Sequence, residues 1–289
     1  MKITALLLLF LAVVSRAILG AESLDELKKK AEAGEAVTQF NLGLLYYNGE
    51  GVAKDSAEAV KWFRKAAEQG NAHARFTLGL CYIRGLGLEK DLREANKWIL
   101  LSAEQGHADA QTMIGADYYH GSGVSKNPSE ALKWYLKAAE QGQPEAQSAL
   151  GSMFYYGRGV KKNIYEAIVW WRKAAEQGDD EAQSNLGQVY KEGVGVPKNS
   201  AEAIKWWRKA AEQNNIGVQT ALGGMYAVGE GTPKDLVQAH AWWGIAAFQG
   251  NGGARKNLAI VEKKMTPEEK SEATKLAREI FERIQAKKK

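Results

Sequence analysis

Apolar and polar positions recur along this chain with a period of 36 residues, and the pattern runs from Glu35 to Gly250 without slippage. Tryptophan marks one position of every period: Trp62, Trp98, Trp134, Trp170, Trp206 and Trp242. A Gly-x-Gly pair marks another position, beginning at Gly49, Gly85, Gly121, Gly157, Gly193 and Gly229. A fixed period of this length is typical of proteins built from stacked supersecondary units. The pattern therefore predicts six tandem repeats.

The pattern within each repeat predicts two helices joined by a glycine turn. In the first repeat, apolar residues between Ala36 and Tyr46 have helical spacing, and Gly49 follows where a left-handed residue ends a helix. Asp55 and Glu58 have the spacing of an N-cap and the acid of a capping box, which indicates that a second helix begins there. The repeat is therefore a helix-turn-helix unit.

A further glycine lies inside each first helix, at Gly43 and its five equivalents. Glycine in a helix interior costs about 1 kcal/mol relative to alanine, so its recurrence needs a packing reason. We expect the two helices of a repeat to approach closely there, with the ring of the Trp62-type residue lying over the bare backbone. Two such helices cannot bury their apolar faces alone, so the repeats are expected to stack.

The complete set of motifs is clearest between residues 146 and 178. It reads Ala-x-x-x-Leu-Gly, then Gly-x-Gly-Val from Gly157, then Ala-x-x-Trp-x-x-Lys-Ala-Ala-Glu-Gln-Gly from Ala167. These motifs resemble those of the Sel1-like repeat family, and the resemblance extends over residues 23–286. It implies an all-α fold, a right-handed α/α superhelical solenoid similar to tetratricopeptide proteins. Six 36-residue repeats would be closed by capping helices at both ends.

The predicted domain organisation follows this register. A secretory signal peptide is predicted at 1–21, an N-terminal capping helix at 22–34, and a C-terminal half-repeat with a capping helix at 251–289. The six predicted repeats occupy 35–70, 71–106, 107–142, 143–178, 179–214 and 215–250.

The first residues have the features of a secretory signal. Lys2 precedes an uncharged stretch from Ile3 to Val14, and small residues follow as far as Ala21. Cleavage after Ala17 or after Ala21 fits this pattern. The apolar run is shorter than the roughly 20 residues that span a bilayer, although an uncleaved anchor is the alternative. We expect an exported protein, periplasmic or secreted, with no membrane span after signal cleavage.

Charge and composition argue against several classes of function. The segment 22–262 carries 28 basic and 29 acidic residues, whereas a nucleic-acid groove needs basic charge gathered on one face. No nucleic-acid partner is therefore expected. The chain has one cysteine, four histidines and no His-Glu-x-x-His motif, so neither a metal site nor a cofactor is expected. The recurrent Gly-x-Gly follows a helix rather than a strand, which identifies it as a turn.

The resemblance implies an adaptor or scaffold that holds protein partners. One cysteine-rich branch of the family has been linked to penicillin binding and β-lactamase activity. That branch pairs cysteines within its repeats, whereas this chain has only Cys81, and it also lacks Ser-x-x-Lys and Lys-Thr-Gly motifs. No enzyme activity and no catalytic residues are therefore predicted.

A second stripe on each first helix is the candidate partner site. It lies on the expected concave face and grades from apolar and aromatic residues in the first repeats to polar ones later. Its predicted partner-binding residues are Phe40, Leu44, Tyr47, Phe76, Leu80, Ile83, Tyr119 and Tyr155. Aromatic anchors of this kind dominate protein interfaces. The alternative is that Phe40 and Phe76 pack against the neighbouring repeat.

Two residues interrupt the apolar core pattern of the first helices. Cys81 takes a position held by leucine, methionine or valine in other repeats, which favours a small buried hydrophobe over a reactive thiol. Asp117 takes the same position one repeat later, and we expect a local pair with His120 or a tilted, exposed site. The remaining histidines show no constellation in the sequence, and we interpret them as surface or hydrogen-bonded helix residues.

The sequence thus predicts an exported, non-catalytic adaptor that binds a protein or peptide in a concave groove. Two alternatives remain open. One is an envelope enzyme or ligand binder acting on peptidoglycan or carbohydrate fragments. The other is a virulence-type factor that binds a host protein.

Overall fold

The computed structural model describes residues 23–287, and every regular element in that part of the chain is helical. The predicted signal peptide, 1–21, lies outside the described residues. The α-helices are α1 Leu24–Glu32, α2 Ala36–Asn48, α3 Ser56–Glu68, α4 Ala72–Arg84, α5 Leu92–Glu104, α6 Ala108–His120, α7 Pro128–Glu140, α8 Pro144–Tyr156, α9 Ile164–Glu176, α10 Asp180–Glu192, α11 Ser200–Ala211, α12 Ile216–Val228, α13 Leu236–Phe248, α14 Gly252–Val261 and α15 Pro267–Ala286. The predicted all-α solenoid class is confirmed.

The chain forms two compact units, which divide after Ala146. In the first unit, helices pack in sequential pairs, α2 on α3, α4 on α5 and α6 on α7. The second unit repeats this arrangement with α10 on α11 and α12 on α13. Its last helix, α15, packs against α13 and buries Ala273, Ile280 and Ile284. None of the helices within residues 23–287 has the length and apolar character needed to cross a bilayer.

Helix ends follow the predicted cap residues, with one difference. Asp55 accepts hydrogen bonds from the backbone of Ala57 and Glu58, as an N-cap does. The Glu58 carboxylate does not complete a capping box; it lies 2.7 Å from Lys61 Nζ instead. Complete capping boxes form at α1 and α15, where the acid reaches back to the cap backbone. The repeated acid therefore forms a surface ion pair one turn along the helix.

The glycines inside the first helices face a bulky side chain, but not the predicted one. A Cβ added to Gly43 would lie 2.6 Å from the Phe63 ring, and one added to Gly187 would lie 2.1 Å from Trp207. The expectation that the Trp62-type ring covers the glycine is therefore wrong. The covering residues stand one position later, and they are Phe63, Ile99, Tyr135, Trp171, Trp207 and Trp243.

The Trp62-type residue is rotated away from the glycine because one residue of an α-helix turns the side chain by roughly 100°. Trp62 packs with Leu42 of its own repeat and with Leu27 and Ala31 of helix α1. Trp206 likewise joins the cluster that contains Ala167 and Leu186. The two adjacent positions therefore make different contacts. The Phe63-type residue packs between the two helices of its own repeat, and the Trp62-type residue packs its repeat against the preceding helix.

Turn glycines fix the approach of successive repeats. A Cβ on Gly87 would lie 2.1 Å from the carbonyl oxygen of Ser56, at the start of the second helix of the preceding repeat. Gly231 has the same relation to Ser200, whose carbonyl carbon would lie at 2.4 Å. Both glycines have positive φ, which L-residues with a Cβ adopt at a cost. These positions therefore require glycine for conformation and for space.

Buried glutamines add a polar contact between repeats. Gln39 donates to the carbonyl of Ala31 at 3.0 Å, and Gln69 donates to Gln39 Oε1 at 2.6 Å. The bond to the preceding helix recurs between repeats, from Gln111 to Ala103, from Gln183 to Ala175 and from Gln219 to Ala211. The bond between two glutamines stays within one repeat and recurs as Gln141 with Gln111, Gln177 with Gln147, Gln213 with Gln183 and Gln249 with Gln219. Because a buried amide without partners is costly, this chain of hydrogen bonds favours one register of stacking.

Two adjacent glycines of α12 give a matched test of this packing. We predict that Gly223→Ala lowers the free energy of unfolding by about 1–3 kcal/mol, because its Cβ would lie 2.7 Å from Trp243. Gly224→Ala has open space around the new Cβ, so it should raise stability by about 0.5–1 kcal/mol. Urea unfolding followed by circular dichroism measures both. Equal effects of the two substitutions would contradict the packing account.

Candidate functional site

Half-buried side chains form a column along the first unit. Tyr47, Ile83 and Tyr119 stand one period apart near the ends of helices α2, α4 and α6, and each is partly exposed. Burial raises the pKa of Tyr47, and Arg84 beside it partly opposes that rise. The Lys54 ammonium lies 5.8 Å from the centre of the Tyr47 ring. Aromatic, apolar and cationic groups therefore meet at this surface.

Four of the predicted partner-binding residues lie in the core instead. Phe40 and Leu44 belong to the buried cluster around Phe63, and Phe76 and Leu80 belong to the next one. Leu44 is fully buried, and Phe76 is 1% exposed. The structure thus places these four where the alternative interpretation put Phe40 and Phe76, packed between helices. Helix α2 has apolar residues on two faces because it packs against α1 on one side and against α4 on the other.

Tyr155 occupies the same repeat position as Tyr47 but lies in the second unit. Its ring centre is 5.2 Å from that of Trp171 and 5.0 Å from that of Tyr156. Lys162 Nζ lies 5.6 Å from the Tyr155 ring. The tyrosine therefore shields the covering residue of its own repeat while keeping one side partly exposed. Whether it binds a partner stays a prediction.

A lysine follows the turn in every repeat, and none of these lysines is among the predicted partner-binding residues. The six loop lysines are Lys54, Lys90, Lys126, Lys162, Lys198 and Lys234. Within residues 23–287, the structure gives Lys54, Lys90 and Lys126 no ion-pair partner, whereas Lys198 lies 3.4 Å from Glu230. The signal was present as another 36-residue period, but the near-neutral charge of the segment 22–262 hid it. We call Tyr47, Ile83, Tyr119 and the first three loop lysines the column face.

Lysines on the second helices provide a contrast. Lys61, Lys97 and Lys133 also recur every 36 residues in the same three repeats. Each is paired with a glutamate three residues earlier: Glu58, Glu94 and Glu130. The cations of the column face are therefore the ones left to meet an anion from outside.

The single cysteine is a core residue. Cys81 is 3% exposed and packs in the cluster that contains Leu78 and Phe63. Burial raises the pKa of its thiol to about 12, which leaves almost no thiolate at neutral pH. The interpretation as a small buried hydrophobe agrees with this environment.

Asp117 lies on α6 at the position that Leu45, Cys81 and Met153 fill in other repeats. Burial raises the pKa of its carboxyl group to about 7, and no ion-pair partner offsets that rise. The expected pair with His120 does not form, since His120 is exposed and its ring contacts Tyr119. The third repeat thus contains a carboxyl group that is poorly solvated when ionised.

Two histidines meet at the starts of helices α4 and α6, where no constellation was expected. His107 Nε2 lies 3.1 Å from His73 Nδ1, and His107 Nδ1 accepts a hydrogen bond from the backbone of Ala110. Burial lowers the pKa of His107, and His73 adds to that effect. An imidazole that caps a helix through Nδ1 must keep that nitrogen unprotonated, so this pair serves the helix end.

In the described part of the chain, no three His, Cys, Asp or Glu residues are grouped to hold a metal ion.

Family models match the chain at six consecutive segments, each as a Sel1 repeat. The matched residues are 36–71, 72–107, 108–143, 144–179, 180–215 and 218–251. The chain belongs to the Sel1 repeat family. Sel1 repeats form a common scaffold for protein interactions, generally without catalytic activity.

Three solved structures show how this chain compares with known proteins. A Sel1 repeat protein from Oxalobacter formigenes has 37% identity and a TM-score of 0.68, covering 75% of this chain and 89% of that chain. The protective antigen c5321 of uropathogenic Escherichia coli has 28% identity and a TM-score of 0.47, covering 89% and 79%. Immunity protein Pa5087 from Pseudomonas aeruginosa has 22% identity and a TM-score of 0.43, covering 81% and 80%. No curated protein matches the chain.

Asp117 predicts a pH dependence of stability. Its pKa is about 7 in the folded protein and 3.8 ordinarily, so the folded state loses stability as pH rises between these values. We expect Asp117→Asn to be more stable than the parent protein by about 1–2 kcal/mol at pH 8, after allowance for solvent screening. The difference should close as the pH falls toward 4. Urea titrations across this range measure it.

The exposed Glu140→Gln variant is the control, and its stability profile should run parallel to that of the parent protein. If Asp117→Asn also runs parallel from pH 4 to 8, burial does not penalise the carboxylate.

Proposed function

We propose that this Sel1 repeat protein is an exported, non-catalytic adaptor that binds an acidic segment of a protein partner on the column face. The observation that carries the proposal is the column of half-buried Tyr47, Ile83 and Tyr119 beside lysines without ion pairs. The scaffold role of Sel1 repeats supports binding in general, and the column face supports this location.

The column residues have the properties of interface anchors. A tyrosine offers a large apolar ring and a hydroxyl group, and it loses little conformational entropy on binding. Partial burial against its own repeat already restricts each side chain, so less freedom remains to be lost. A partner segment that lies along the column would cover apolar and aromatic surface in three successive repeats.

Charge determines which segment fits. Lys54, Lys90 and Lys126 present one positive charge in each of three successive repeats, and none of them has an ion-pair partner within residues 23–287. Complementary charges increase the rate of association and exclude partners of the same sign. An extended segment that alternates acidic with apolar or aromatic residues would meet both the lysines and the column.

The lysines can be tested against their paired counterparts. A random peptide library displayed on phage is the probe, and we expect the selected sequences to be rich in Asp and Glu. Substitution of Lys54, Lys90 and Lys126 by Gln should weaken binding of a selected peptide about tenfold or more in fluorescence anisotropy. The same triple substitution at Lys61, Lys97 and Lys133 should leave the affinity unchanged. Equal losses in both triple variants would contradict a site on the column face.

The aromatic column is tested separately. We predict that Tyr47→Ala with Tyr119→Ala weakens the same peptide by about tenfold or more, because truncated aromatic anchors typically cost over 1 kcal/mol each. Circular dichroism should show unchanged helicity. Retained affinity in a folded double variant would place the site elsewhere.

Export is the second part of the proposal, and the sequence of residues 1–21 supports it. A periplasmic reporter enzyme fused after residue 289 should be active in bacteria that express the full chain. Deleting residues 2–21 should abolish reporter activity and leave the fusion in the cytoplasmic fraction. Activity that survives the deletion would contradict the signal.

A further inference from the structure

An open cleft lies in the second unit between the end of α12, the start of α13 and the end of α14. Its volume is about 100 Å³. Its lining consists of Ala227, Lys234, Leu236, Trp243, Asn257, Ile260, Val261 and Lys264. Apolar residues and two lysines therefore line one small site.

The cleft lies beside a repeat position whose side chain is shorter in the sixth repeat than in the others. In the fourth repeat, the Tyr155 ring lies 5.2 Å from the ring of Trp171. In the fifth, Lys191 Nζ lies 5.3 Å from the ring of Trp207. The equivalent residue of the sixth repeat is Ala227, whose methyl group does not fill the space that a longer side chain occupies in those repeats. Trp243 itself is only 6% exposed.

The groups around the cleft suit two kinds of chemistry at once. Trp243, Leu236 and Val261 provide an apolar floor, and Ile260 beside them is 57% exposed. Lys234 and Lys264 belong to different elements, and neither has an ion-pair partner within residues 23–287. Exposed apolar surface beside uncompensated positive charge attracts a ligand with an apolar group and an anion a short distance apart.

We infer that this cleft binds the carboxy-terminal residue of a peptide. The apolar side chain of that residue would enter the cleft beside Ala227, Leu236 and Ile260, with the edge of Trp243 at its base, and the terminal carboxylate would meet Lys234 and Lys264. The Asn257 amide, which also lines the cleft, can bond to the last peptide group. This site lies in the second unit and uses none of the residues of the column face, so either proposal can fail without the other.

The probe is the peptide N-acetyl-Ala-Ala-Leu with a free carboxylate, compared with its carboxy-terminal amide. Binding is followed by the indole N–H resonance of Trp243 and the methyl resonances of Ile260 in two-dimensional NMR. We expect the acid to shift these resonances. The amide should bind at least about tenfold more weakly than the acid. No shift at either residue with millimolar acid, or equal affinities of acid and amide, would overturn the inference.

Two variants separate the cleft from general effects. Ala227→Tyr restores the residue of the first, third and fourth repeats, so it should fold, fill the cleft and abolish binding. Lys264→Gln should weaken the acid about tenfold, whereas Lys256→Gln, on the exposed side of α14, should not. Unchanged binding by folded Ala227→Tyr would overturn the proposal.

N-acetylleucine is the last ligand to compare. If it binds as tightly as the peptide, the occupant is a free small acid and the peptide assignment is wrong.

Discussion

In each repeat, the first helix presents bare glycine backbone to a bulky side chain of the second helix. At Gly151 and Gly187, an added Cβ would lie 2.3 and 2.1 Å from the opposing tryptophan, so the helices come closer than two side chains would allow. This contact fixes the rotation of the second helix, and the preceding tryptophan position then turns toward the repeat before it. Stacking therefore follows from the packing inside one repeat.

Because this contact and the turn glycines specify the scaffold, other positions are free to vary. The residue at the Tyr47 position is tyrosine, isoleucine, lysine or alanine in different repeats, although the helices around it keep their bounds. Tyrosines and lysines in the first unit make the column face. Alanine at position 227 in the second unit opens a cleft against Trp243. One repeated scaffold thus carries two chemically different surfaces.

Much of the fold could be predicted, because a strict period reports helix ends and turns directly. The residue that covers Gly43 was predicted wrongly, as Trp62 instead of Phe63. Both adjacent positions are bulky, and periodicity alone cannot show which of the two faces the glycine. The candidate site was harder to predict. Phe40 and Phe76 look like surface aromatics in one repeat, yet they are buried by the neighbouring one. The contact of His73 with His107 likewise joins residues of successive repeats.

The central claim is that a protein partner lies on the column face of the first unit. The most direct measurement is photocrosslinking in cells, with benzoylphenylalanine placed at Ile83 in one variant and at Lys97 in another. Both positions belong to the second repeat, one on the column face and one on the exposed side of α5. We expect a discrete crosslinked protein from position 83 and none from position 97. Crosslinks from 97 alone, or the same product from both positions, would contradict it.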